Sequence, residues 1–116
     1  MKNYLFRTNA TMKEYNSKKW WIDNEIIKQV IIKAINLDEA LKKYQEFTEK
    51  STCVTISNNA LKNKEPLYID TANGAIQKGF VITAKCDFQD DDNYKWTSQY
   101  IDLWVDIDII TSAFKD

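Results

Sequence analysis

The chain is predicted to fold as an α+β protein: a single antiparallel sheet of about five strands, in the order ββαβββ, with one amphipathic helix packed on one face. Three observations predict this class. Apolar and polar residues alternate along several segments, which is typical of half-buried strands. One segment instead repeats its apolar residues at helical spacing. Glycine occurs twice and proline once, so little interrupts regular structure, and we expect the 116 residues to form a single domain.

Two strands are predicted ahead of the helix. Residues 4–12 alternate, so Tyr4 and Phe6 share one face of the strand while Leu5 and Arg7 share the other. After a polar connection, residues 20–22 begin a second extended region whose centre is residues 26–35. That run is rich in β-branched side chains on both faces, which favours a strand covered on both sides.

The clearest element of the sequence is a helix that begins after Asn36. Asn36 is a favourable N-cap residue, and Glu39 follows at the position of a capping box. Apolar residues then recur at helical spacing, as Leu37, Ala40, Leu41, Tyr44 and Phe47. The pattern predicts an amphipathic helix of about three to four turns that reaches roughly residue 50.

The second half of the chain reads as further strands. Short strands are predicted at residues 53–57 and 66–70, and Pro66 favours a sheet edge for the latter. The polar residues 58–64 between them are compatible with one helical turn. The Asn73-Gly74 pair predicts a tight hairpin before a strand at residues 79–88. The last strand runs to residue 110.

The last strand changes phase, and this leaves two interpretations open. Apolar residues occupy even positions up to Tyr100 and odd positions from Ile101 onward. A β-bulge near Ser98–Ile101 would bury Tyr94 and Trp96 and display only one aromatic residue. Without a bulge, the outward face carries an aromatic row edged by carboxylates. The residues of that face are Trp96, Tyr100, Asp102, Trp104, Asp106 and Asp108.

Charge is unevenly distributed along the sequence. Residues 1–64 carry twelve Lys or Arg against seven Asp or Glu, and residues 65–116 carry four against ten. If strands from the two halves interleave in one sheet, their charges cancel. If the two halves occupy separate parts of the molecule, the molecule is dipolar. Arg7 is the single arginine, which lowers the expectation of sequence-specific nucleic-acid recognition.

The sequence contains none of the motifs that usually identify an enzyme. Histidine is absent, which excludes Ser-His-Asp and Cys-His arrangements and imidazole metal ligands, and no glycine-rich phosphate-binding motif occurs. We therefore expect no catalytic residues, no cofactor and no metal. Cys53 and Cys86 lie in predicted strands without C-x-x-C spacing, which indicates buried apolar residues in a reducing compartment; a disulfide between them is the alternative that the sequence leaves open. With no apolar run long enough for a signal peptide or a membrane span, a cytoplasmic location is expected.

These observations favour a non-enzymatic module that binds a protein or a second copy of itself through the aromatic and acidic strand face. The predicted contact residues are Trp96, Tyr100, Asp102, Trp104, Asp106 and Asp108. One alternative is single-stranded nucleic-acid binding, since Lys18, Lys19, Trp20 and Trp21 place cations beside stacking aromatics. Another is a carbohydrate or small-ligand site at Trp104.

Two segments of the chain resemble known proteins. Residues 7–23 (RTNATMKEYNSKKWWID) and residues 92–105 (DNYKWTSQYIDLWV) are similar to uncharacterised small proteins of phages and integrated mobile elements in AT-rich Gram-positive bacteria. They cover about a quarter of the chain. The resemblance implies an accessory role on a mobile element, directed against a host protein, and it brings no catalytic residues with it.

Overall fold

The computed structural model describes residues 1–12, 29–89 and 96–110, with side chains for residues 1–10, 29–87 and 98–110. Within these residues the chain forms six strands and two helices. They are β1 (Lys2–Met12), β2 (Val30–Ala34), α1 (Leu37–Ser51), β3 (Val54–Thr55), α2 (Asn58–Lys62), β4 (Glu65–Thr71), β5 (Gly74–Gln89) and β6 (Trp96–Ile110). The predicted α+β class with an antiparallel sheet is confirmed.

The predicted number of elements differs from the observed one. The described part of the chain has six strands rather than about five. Two predicted short strands share the outer edge of the long β5: β4 pairs with its first half and β3 with its second half. The predicted helical turn between them is the short helix α2. The described residues therefore contain two helices, where the predicted fold had one. The Ser57 side chain caps α2 by accepting a hydrogen bond from Ala60 N at 3.0 Å.

The sheet has the strand order β2-β1-β6-β5, and every described pair is antiparallel. The central pair joins β1 to β6, from Asn3 opposite Ile110 to Met12 opposite Ile101. Strands β2 and β1 of the positively charged half therefore lie side by side, and β6, β5 and β4 of the negatively charged half lie side by side. The two halves meet at the β1–β6 pair, and the two-residue β3 is the one described strand of the first half on the far side, so the strand order does not interleave the charge halves as the first alternative expected.

Helix α1 begins and ends where local hydrogen bonds satisfy its terminal backbone groups. Asn36 Oδ1 accepts a hydrogen bond from Glu39 N at 2.9 Å, which confirms the predicted N-cap. At the other end, the Thr52 backbone N–H donates to Thr48 O at 3.1 Å, and Thr52 Oγ1 accepts from Val54 N at 3.0 Å. Among the described residues, neither helix has the length and apolar character needed to cross a membrane.

Helix α1 packs on one face of the sheet, which we call the inner face. Ala40, Leu41 and Tyr44 project from the helix into the core. The strands contribute alternate residues, namely Tyr4, Phe6, Ile32, Ala34, Ile82, Ala84, Cys86, Ile101, Leu103 and Val105, all buried. At the centre the rings of Phe6 and Tyr44 stack with centroids 4.5 Å apart. The opposite surface of the sheet, the open face, is not covered by α1.

Strands β4 and β5 form the predicted hairpin, but its turn lies one position earlier than the sequence suggested. Thr71 pairs with Gly74, so the two central residues are Ala72 and Asn73. Gly74 has φ 109°, a conformation that side chains disfavour, which explains why glycine stands there. The Thr71 Oγ1 hydroxyl donates to Gly74 O at 2.6 Å and accepts from Asn73 N at 3.2 Å, which ties the turn together.

Candidate functional site

Strand β6 keeps one register along its described length. Its pairing with β5 is continuous from Trp96 to Asp106, and its pairing with β1 is continuous from Ile101 to Ile110. Within these paired residues there is therefore no bulge near Ser98–Ile101, where one interpretation of the sequence placed it. Ile101, Leu103 and Val105 project to the inner face, and the residues between them project to the open face.

The open face displays two large aromatic side chains from β6. Tyr100 is 56% exposed and Trp104 is 40% exposed. In the pairing register Trp104 lies between Asn9 of β1 and Val81 of β5. The side chain of Trp96, the third predicted member of the row, lies outside the described part of the chain, and Tyr94 does so entirely.

A groove runs along this face beside the two aromatic residues. It encloses about 890 Å³. Its floor is formed by β5 and β6 and includes Val81, Thr83, Lys85, Tyr100, Asp102 and Trp104. Its wall is formed by α2 and the residues beside it, including Thr55, Ser57, Asn59, Asn63 and Glu65. The volume falls within the range of known small-molecule sites, and the lining mixes aromatic, amide and charged groups.

The floor of the groove is organised by contacts between neighbouring strands. Lys85 Nζ lies 5.4 Å from the centroid of the Tyr100 ring, a cation–π contact. Thr83 Oγ1 donates a hydrogen bond to Asp102 Oδ1 at 3.3 Å. These pairs come from residues directly opposite each other in the register, Lys85 with Tyr100 and Thr83 with Asp102. The orientation of the floor side chains therefore depends on that register.

The other two predicted acids, Asp106 and Asp108, belong to an ion-pair cluster beside the groove. Arg7 Nη1 lies 2.9 Å from Asp108 Oδ2 and 4.0 Å from Asp106 Oδ2. Lys78 Nζ donates a hydrogen bond to Asp108 Oδ1 and lies 4.0 Å from Asp106 Oδ1. The open face is therefore less acidic than the sequence of β6 alone suggests. The positive charges of Arg7, Lys78 and Lys85 lie on the same face as the carboxylates of Asp102, Asp106 and Asp108 and offset their negative charge.

Lys78 reaches this cluster through an irregularity in β5. Leu67 pairs with Gly79 and Tyr68 with Gln77, so Lys78 is the extra residue of a β-bulge. The next residue, Gly79, lies against the backbone of β6. A Cβ atom at this position would overlap the carbonyl oxygen of Val105 and approach the Val105 carbonyl carbon to 2.9 Å. The bulge at Lys78 and the close approach of strands that Gly79 permits together bring the Lys78 ammonium to the carboxylates of β6.

The pKa of Asp108 is lowered from the usual range of aspartate. The hydrogen bond from Lys78 is the largest cause; burial acts in the opposite direction, and the charges of Lys78 and Arg7 lower it further. Because the folded-state pKa is depressed, ionised Asp108 stabilises the fold above the ordinary carboxyl pKa of about 4. That stabilisation is lost as the pH falls through the folded-state pKa.

Lys78→Met should raise the pKa of Asp108 and lower the free energy of unfolding at neutral pH by up to about 1 kcal/mol, since these side chains are partly exposed to solvent. The deficit should disappear in acid, where Asp108 is protonated in both proteins. Urea denaturation at several pH values and NMR titration of the carboxyl carbon measure the two effects. The control is Lys42→Met, an exposed lysine of α1. A deficit that does not change with pH would contradict the assignment.

Sequence reasoning misses several residues of this face. Arg7 lies on the strand face opposite Tyr4 and Phe6, as predicted, but the pairing of β1 with β6 cannot be read from local pattern. Lys78 lies before the predicted start of its strand, and nothing in the sequence signals the bulge. Asn59 and Asn63 fall in the polar segment 58–64, for which the sequence allows one helical turn but does not indicate that the turn lies beside the sheet.

The alternative nucleic-acid site lies outside the described residues. Lys18, Lys19, Trp20 and Trp21 all fall between residues 12 and 29. Binding through that segment stays a prediction, for which salt-sensitive quenching of tryptophan fluorescence by oligonucleotides is the measurement.

The chain was compared with protein-family models, with curated proteins and with solved structures, and none of the three comparisons found a match.

Proposed function

We propose that the protein is a non-enzymatic module that self-associates through its open face. The observation that carries this proposal is the combination of Tyr100 and Trp104 with a balanced set of charges on one surface. In a two-fold dimer each patch meets its own copy, so a patch must complement itself. A surface that carries both cations and carboxylates can do so, whereas a uniformly acidic surface would repel its copy.

The distribution of apolar side chains supports the same proposal. Ile31 of β2 is 59% exposed and lies on the open face, because its neighbours Val30 and Ile32 turn toward the inner face. Its partner in the register is Leu5, which is half-buried. Leu5 in turn pairs with Asp108, so this apolar pair and the aromatic residues of β6 lie on opposite sides of the ion-pair cluster, on the same face. A second copy that packs on this face would cover both groups of apolar side chains, and such a shared surface is typical of an interaction site.

The ion-pair cluster also suits a protein interface. Asp108 is already paired with Arg7 and Lys78 within one copy. Groups that are paired before association lose less hydration free energy when a partner covers them than isolated charges do. The resemblance of residues 7–23 and 92–105 to small phage and mobile-element proteins supports an accessory role for such a module, with a host protein as the alternative partner.

Trp104→Ala is expected to convert a dimer of the 13.6 kDa chain into a monomer. A tryptophan at the centre of an interface commonly contributes about 2 kcal/mol or more, so the dissociation constant should rise at least about thirtyfold. Light scattering on a sizing column, over a wide range of protein concentration, measures this change. Circular dichroism establishes that the variant remains folded.

The matched control is Tyr68→Ala. Tyr68 is an aromatic residue of β4 that is 59% exposed and does not line the groove. This variant should have the same molar mass as the original protein at every concentration. A wild-type protein that stays monomeric throughout, or a dimer that Trp104→Ala leaves intact, would refute self-association through this face.

A second candidate function, favoured by the groove, is binding of a carbohydrate or similar polar ligand at Trp104. Aromatic rings can stack on the apolar face of a sugar, while the Asn59 and Asn63 amides and the Asp102 carboxylate can bond its hydroxyl groups. Titration with oligosaccharides should then change tryptophan fluorescence in a saturable manner. The change should be lost in Asp102→Ala, and the molar mass should not depend on the ligand.

A further inference from the structure

The two cysteines of the chain, which sequence spacing does not connect, are adjacent in the structure. Sγ of Cys53 and Sγ of Cys86 are 3.0 Å apart, although 33 positions separate them in the sequence, and both are free thiols. A disulfide bond measures about 2.0 Å, so bond formation needs an approach of only about 1 Å. The pair needs no rearrangement of the fold to react.

The backbone around the two thiols is fixed by the sheet. Val54 pairs with Cys86, and Asp87 N donates a hydrogen bond to Cys53 O at 3.0 Å. Cys53 comes just before β3, so strand alternation does not determine its side-chain direction, and it packs against the core beside Cys86. The contact between the sulfur atoms therefore follows from the pairing of β3 with β5.

The two thiols differ in their access to solvent. Cys53 is half-buried, whereas Cys86 is fully buried. Burial, together with the hydrogen bond to Cys53, raises the pKa of the Cys86 thiol. Cys53 is the more exposed residue of the pair, so a molecule from solution meets it before Cys86, and the two sulfur atoms are suited to successive roles.

We propose that Cys53 and Cys86 form a reversible dithiol–disulfide site that accepts oxidising equivalents from a low-molecular-weight disulfide. The Cys53 thiolate attacks one sulfur of that molecule, forms a mixed disulfide and releases one small thiol. Cys86 then gives up its proton and attacks Cys53 Sγ. The second small thiol leaves with the electron pair of the broken bond and takes up a proton. Two protein thiols are oxidised, and one small disulfide is reduced to two thiols.

Oxidation would act on the wall of the groove. The new bond would join the α1–β3 connection to the second half of β5, and Thr55 and Ser57, which line the groove, follow Cys53 closely in the chain. In the reduced protein the same connection is held by Thr52, whose hydroxyl bonds Thr48 O at 2.5 Å. The fold therefore does not require the disulfide, and the site is independent of whether the open face self-associates.

The test is incubation of the folded, reduced protein with oxidised glutathione, followed by mass spectrometry and thermal denaturation. The wild-type chain should lose two hydrogen atoms in mass, carry no glutathione and remain free of intermolecular disulfides. Its Tm should rise on the order of 10 °C, because the bond closes a loop of 33 residues in the unfolded chain. Dithiothreitol should reverse both changes.

Two variants separate the roles of the thiols. Cys86→Ala should trap glutathione on Cys53, because the second thiol is missing. Cys53→Ser should remain unmodified, because Cys86 is shielded from solution. If Cys86→Ala does not fold, the wild-type protein and Cys53→Ser still test whether Cys53 is the thiol that reacts with glutathione. Retention of two free thiols by the folded wild-type protein, or glutathione bound to Cys86 in Cys53→Ser, would overturn the proposal.

Discussion

Gly79→Ala is expected to lower the free energy of unfolding by at least about 3 kcal/mol and the Tm by more than about 10 °C. The added Cβ would overlap the carbonyl oxygen of Val105, and it would lie 3.2 Å from Asp106 Cα. Those atoms belong to the backbone of a central strand, so they cannot rotate away as a side chain could. Relief requires β5 and β6 to separate, which also moves Lys78 away from Asp108.

The matched control for this variant is the other glycine of the chain. Gly74 has φ 109°, and a Cβ atom added there would meet nothing within 4 Å, so Gly74→Ala tests backbone strain without a steric clash. Its cost should be about 1–2 kcal/mol. Thermal and urea denaturation of the two variants, followed by circular dichroism, compare the effects. Equal losses would show that β5 and β6 are not in close contact at Gly79.

Phe6→Ala is expected to lower the free energy of unfolding by about 3–5 kcal/mol, the usual cost of removing a buried phenylalanine ring. Phe6 is fully buried at the centre of the inner face, and its ring is nearly parallel to that of Tyr44, at an interplanar angle of 13°. The cavity would lie between β1 and α1, where neither element can collapse without losing its other contacts. Urea denaturation measures the loss.

Two milder variants show which part of this contact stabilises the fold. Phe6→Leu keeps most of the apolar volume and should cost less than about 1.5 kcal/mol. Tyr44→Phe keeps the stacked ring but removes the hydroxyl that shares a 2.5 Å hydrogen bond with Thr8 Oγ1, at a cost of about 1 kcal/mol. Burial raises the pKa of Tyr44, so that hydroxyl stays protonated at ordinary pH. If Phe6→Ala costs no more than Phe6→Leu, the ring is not central to the core.

The features that can be predicted from sequence are those fixed by nearby residues. Helix α1 is predictable because Asn36, Glu39 and the apolar spacing all act within a few turns of one another. The inner face of β6 is predictable because strict alternation from Ile101 to Ile109 permits one assignment of faces. The phase change near Tyr100 is not settled by that alternation, and the absence of a bulge near Ser98–Ile101 follows only from the pairing of β6 with both neighbours.

The features that cannot be predicted depend on residues distant in the sequence. The charge of the open face depends on Arg7, which is 101 positions from its partner Asp108. The position of Lys78 depends on a bulge that exists only relative to β4. The depth of the groove depends on where α2 lies beside β5. In each case the local pattern determines the element, whereas register and packing determine which side chains meet.

The pairing of β1 with β6 has a consequence for how the protein folds during synthesis. These two strands form the centre of the sheet, yet Asn3 pairs with Ile110 at the opposite end of the described chain. Contacts of such high sequence separation slow folding, because the chain must close a long loop before they form. On the ribosome, β1 has only the short β2 as a neighbour until β6 has emerged. The inner face therefore stays incomplete, and the growing chain depends on late closure of its central strand pair.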